Sequence, residues 1–68
     1  MKKQYYAKFR EIYNEETKKL STCYTPVIRI NNKEVYVADG DIIMEFENKE
    51  DAYNQAKKSY FKYIEANT

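Results

Sequence analysis

Between Thr25 and Glu47 the chain alternates apolar and polar residues through two turn signals, and no other feature constrains the fold as much. Ile28, Ile30, Val35, Val37, Ile42, Met44 and Phe46 fall on one face of a pleated ribbon, because successive side chains of a strand point to opposite sides. A first turn near Asn32 and Lys33 sets Ile30 opposite Val35 and Ile28 opposite Val37. Moving that turn back to Asn31 and Asn32 keeps the same facing. Asp39 and Gly40 carry the Asp-Gly signal of a type I′ turn, which sets Val37 opposite Ile42 and Val35 opposite Met44. The expectation is an antiparallel three-stranded meander with one continuous apolar face. Its other face carries Val27, Arg29, Glu34, Tyr36, Ile43, Glu45 and Glu47.

The flanking segments read as helices. Within residues 3–20, Tyr5, Phe9, Ile12, Tyr13 and Leu20 recur at three- and four-residue steps, and Glu15 and Lys19 are spaced to pair. Glu16 interrupts this stripe; it is expected to reach solvent or meet a Tyr hydroxyl, the sharper reading being a carboxylate with a raised pKa. Residues 21–25 form the connector, and Pro26 opens the first strand, where a missing N–H matters least. Asn48 reads as an N-cap, with Asp51 three residues on as its capping-box partner. Over residues 49–66, Ala52, Tyr53, Ala56, Tyr60, Tyr63 and Ile64 form a stripe in which the two small alanines permit close approach to a sheet. The expected fold is α+β: one domain over residues 1–68 in the order helix-strand-strand-strand-helix, a two-layer sandwich with both helices on the Ile/Val/Met face.

Composition narrows the function classes. A chain of 68 residues buries only about 60% of its unfolded surface, so a large internal pocket is not expected. Twelve basic and eleven acidic residues leave a net charge of +1, which argues against whole-molecule attraction to nucleic acid or anionic membrane. There is no His, which removes imidazole acid–base chemistry and histidine metal sites. The single Cys23 cannot close an internal disulfide, and with no cation evident beside it reads as a small packed thiol. Asp39-Gly40-Asp41 lacks calcium-loop spacing, no glycine-rich phosphate loop exists, and Glu45 and Glu47 lie on an open face. We expect no enzyme activity, no cofactor and no metal. No apolar run approaches the ~20 residues of a membrane span, and Met1-Lys2-Lys3 leads into an amphipathic pattern, so a soluble cytoplasmic protein is expected. The frequency of Lys, Asn, Ile and Tyr is a bias associated with AT-rich coding, which suggests a bacterial, phage or mobile-element accessory protein.

Two surfaces are candidates. On the outer sheet face, Arg29, Tyr36 and Ile43 lie across adjacent strands with Val27 nearby and Glu34 and Glu45 at the rim, the composition of a protein-binding hot spot; an ordinary solvated face is the plainer reading. That face, or an edge strand at residues 42–47, also offers a route to a homodimer. On the last helix, Lys57, Lys58, Phe61 and Lys62 interleave bases with an aromatic beside Asn54, an alternative nucleic-acid-binding patch.

The helix-strand-strand-strand-helix order resembles that of double-stranded-RNA-binding domains, and Asn48 to Ile64, NKEDAYNQAKKSYFKYI, is similar to their last helix. Those domains start that helix with a lysine cluster, whereas here Lys49 precedes Glu50 and Asp51, and the first strand loop is only Asn31, Asn32 and Lys33. The resemblance implies a topology and a nucleic-acid-binding alternative, and assigns no RNA-contacting residue. The leading expectation is a non-enzymatic protein-interaction module that occludes a host factor such as a defence nuclease.

Overall fold

Tyr5, Phe9 and Tyr13 are four residues apart, a spacing that keeps them on one face of a helix and equally on one face of a strand. In the computed structural model, which describes residues 4–67, the strand is what forms: β1 runs Tyr5–Asn14 and pairs antiparallel with β2, Lys19–Ile30. The first helix expected over residues 3–20 is therefore corrected to a strand, a turn and the start of a second strand. Lys3, like Met1 and Lys2, lies outside the described residues. Aromatic and β-branched side chains favour the pleated conformation, and Asn14 stops the strand. Its Oδ1 accepts the N–H groups of Glu16 and Thr17 at 2.9 and 3.4 Å, and Lys18, at φ 56°, donates its N–H to Asn14 O at 2.7 Å. Glu16 is thus an exposed turn residue and interrupts no helix stripe.

The next turn is Asn31-Asn32, both at positive φ (51° and 67°) as a type I′ turn requires, and it leads into β3, Lys33–Tyr36. Ile28 pairs with Val35 and Val27 with Tyr36, so the three-stranded antiparallel sheet has the order β1-β2-β3. Ile28 opposite Val37, as first expected, is corrected by two residues, which leaves the facing unchanged.

Pro26 does not open a strand; it sits inside the central one, opposite Ala7. Its carbonyl accepts the Val37 N–H at 3.0 Å, yet it has no N–H to return to the Val37 carbonyl. That carbonyl instead accepts the Met44 N–H at 3.0 Å, and the chain between them leaves the sheet as a small hairpin of β4, Ala38–Asp39, and β5, Ile42–Ile43. Gly40, at φ 67°, with Asp41, makes its turn. The pairing of Val37 with Ile42 is corrected accordingly, since Ile42 faces Asp39. Phe46 then rejoins β2, exchanging two hydrogen bonds of 2.8 Å with Tyr24. Residues 42–47 are consequently not the free outer strand expected of a meander.

The helix α1, Lys49–Ala66, forms as expected. Asn48 Oδ1 accepts the Asp51 N–H at 2.8 Å while Asn48 Nδ2 donates to the Asp51 carboxylate at 2.8 Å, and Glu50 and Asp51 lie at the positive end of the helix dipole. Ala52 and Ala56, both fully buried, let α1 lie close across β1 and β2. The architecture is α+β, with one helix on one face of an antiparallel sheet. The order is not that of a double-stranded-RNA-binding domain, because its first helix is replaced by β1.

Candidate interaction surface

Register places the face away from α1. Tyr5 meets Tyr53, Tyr60 and Phe61 of the helix at ring separations of 5.6, 5.5 and 5.9 Å, so Tyr5, Ala7, Phe9, Tyr24, Pro26 and Ile28 share the helix side. The opposite face therefore carries Tyr6, Lys8 and Arg10 from β1, Thr25, Val27 and Arg29 from β2, and Glu34 and Tyr36 from β3.

Tyr36 is the centre of this face. The Lys8 ammonium stands 5.3 Å from its ring centroid and the Arg10 guanidinium carbon 5.5 Å, so two cations share one aromatic. Arg10 is held further by Thr25, whose Oγ1 accepts from Nη1 at 3.1 Å, and by Glu45 at 4.0 Å. Lys8 is raised above its ordinary pKa by a side-chain hydrogen bond with Tyr36, which favours its charged form. On the far side Arg29 Nη2 approaches Glu34 Oε1 at 3.5 Å, and its Nε is buried with no hydrogen-bond partner among the described residues. Burial and a hydrogen bond with Glu34 push the Tyr6 hydroxyl up to about 12.

Of the residues expected to bind a partner, the structure brings Arg29, Tyr36 and Glu45 to this face. Val27 is corrected: flanked by Tyr6 and Tyr36 across the strands, it is 0% exposed and supports the surface from beneath. Ile43 is corrected too, since it belongs to the β4-β5 hairpin, where it is half-buried and lines an open depression of about 440 Å³ with Ile42, Met44 and Phe46. Sequence reading missed Tyr6, Lys8, Arg10 and Thr25. For the first three the signal was the even-numbered alternation from Tyr6 to Ile12, masked by a helical reading of the odd-numbered aromatics, while Thr25 was read as part of a connector. Cys23 is buried, with Arg10 as its cross-strand neighbour, a cation not evident from the sequence.

The alternative patch holds together in part. Lys57, Lys58 and Lys62 are exposed, but Phe61, 49% exposed, packs one side against Tyr5 and Tyr60. Among the described residues no three His, Cys, Asp or Glu side chains come together as a metal site. No helix among them is long and apolar enough to cross a membrane. Comparison with protein-family models, curated proteins and solved structures finds no match.

Proposed function

We propose that this chain is a non-catalytic interaction module that docks a partner protein on the sheet face opposite α1. The observation that carries the reading is Tyr36 held between Lys8 and Arg10, with Arg10 tethered to Thr25 and Glu45. An aromatic and two cations already fixed by neighbours lose little side-chain entropy on binding, which is what a hot spot needs. The cations favour an acidic patch on the partner. The mechanism is surface occlusion, and a host factor such as a defence nuclease is the target class suggested by small size and composition. No step of it requires a cofactor.

The test begins with affinity capture from the native cell, repeated after nuclease treatment, and continues with titration of the captured protein. Tyr36→Ala should weaken binding by about 2 kcal/mol or more, and Lys8→Ala by less. Equal affinity of wild type and Tyr36→Ala would remove this face as the site. The second reading, nucleic-acid binding through Lys57, Lys58, Phe61 and Lys62, rests on the exposed half of Phe61 among three exposed lysines. It predicts capture that nuclease abolishes and affinity that falls steeply with salt.

A further inference from the structure

The outer edge of β1 has no strand paired to it among the described residues. The Arg29 N–H donates to Gln4 O at 2.7 Å, so the even-numbered residues of this strand pair inward. Tyr5, Ala7, Phe9, Glu11 and Tyr13 therefore direct their N–H and C=O groups outward, along an edge with neither proline nor glycine. Beyond the end of α1 the same strand leaves Phe9 and Tyr13 about half exposed on the helix side, at 52% and 58%, with Phe9 edge-on to Tyr24 at 5.5 Å. At its other end Tyr5 lies under the half-exposed Phe61, on the flank of α1 that overhangs β1.

We propose that a second copy of this chain pairs here, β1 against β1, about a two-fold axis through Phe9. Residues 5 and 13 stand four places either side of residue 9, so the axis exchanges them. Tyr13 of each copy then lands opposite Tyr5 and beside Phe61 of the other, Phe9 meets Phe9, and Ala7 meets Glu11. A half-exposed pair of rings and the cluster that receives it are carried at matching distances on one strand, which is what a self-complementary interface requires and a foreign strand would not explain. Charge agrees on the helix side: Glu11 of one copy comes to the flank that carries Lys57 of the other, one turn before Phe61. On the outer face Lys8 faces Arg10 of the other copy, an opposition softened because each already leans on Tyr36 and Arg10 meets Glu45. Phe9, Tyr13 and Phe61 together withdraw roughly 300 Å² per copy, taking aromatic side chains at 150–250 Å² each. Nine residues of edge backbone with Ala7 and Glu11 bring this toward the ~800 Å² per partner of a standard interface.

Sedimentation equilibrium of the full chain, from roughly 10 μM to 1 mM, should show a monomer–dimer equilibrium. Glu11→Pro removes an outward N–H that no hydrogen bond among the described residues uses; it should keep its far-ultraviolet circular dichroism and lose at least about tenfold in association. Wild-type protein that stays monomeric throughout, or folded Glu11→Pro that associates as wild type does, overturns the proposal. A second pair of variants keeps the test independent of how Glu11→Pro folds. In a Cys23→Ala background, Phe9→Cys should oxidise to a disulfide dimer, since facing hydrogen-bonded positions lie about 5.5 Å apart between Cα atoms. Glu11→Cys should not. Cross-linking at 11 in preference to 9 would refute the register.

Discussion

Val27→Ala asks whether the outer sheet face is packed by the chain's own side chains. Val27 is 0% exposed although no helix covers its side of the sheet, which leaves its cross-strand neighbours Tyr6 and Tyr36 and the aliphatic stems of that face to exclude water. Truncation removes two methyl groups, about 1.6 kcal/mol at roughly 0.8 kcal/mol each, and a residual cavity raises this to about 2–3 kcal/mol. A 68-residue chain has a total stability on the order of 3–10 kcal/mol, so the loss is large, equivalent to a fall in Tm of about 8–24 °C. Val35→Ala is the control: the residue is also β-branched and in a strand, but it is 42% exposed, so it should cost under about 1 kcal/mol. Urea titration followed by circular dichroism measures both. Equal losses for the two variants would mean that Val27 is not shielded within the monomer, and the reasoning about a preorganised face would fail with it.

Asn48→Ala removes the side-chain acceptor of the Asp51 N–H and should cost about 1 kcal/mol in a urea titration, whereas Asn48→Ser should restore most of it. Tyr6 and Lys8 both hold their protons more tightly in the fold than in the unfolded chain. The contribution of Tyr6 is therefore complete below about pH 10 and is lost as pH rises toward about 12, and that of Lys8 is lost in the same direction, above the ordinary lysine range. Tyr6→Phe should flatten, without abolishing, the fall in urea midpoint between roughly pH 9 and pH 11.5, the range over which the Tyr6 contribution is lost. A slope as steep as that of the wild type would assign the alkaline loss to other groups.

The local signals were legible because each is satisfied within a few residues. Asn31-Asn32 needs two positive φ values and Asn needs no long-range help to adopt them. Asn48, Asp51 and the alanine-bearing stripe define α1 by capping and periodicity alone. Arg29 and Tyr36 followed from alternation, which carries the outer face through any two-residue change of register.

What tertiary structure alone decided is the identity of residues 4–20. A four-residue spacing of Tyr5, Phe9 and Tyr13 satisfies both a helix and a strand, and the choice fell to pairing with Leu20 to Ile28 of β2, whose first half is polar and reads as a connector when seen alone. That pairing turned Lys8 and Arg10 toward Tyr36 and left β1 with an edge that no strand pairs with among the described residues. Sequence by itself determined where the last helix begins and, to within a residue, the turns at Asn31-Asn32 and Gly40-Asp41, since contacts between near neighbours decide them, but not the turn after Asn14. Only the assembled sheet decided which residues meet on its open face, because contacts between residues 20 or 30 apart depend on partners that local preference does not specify.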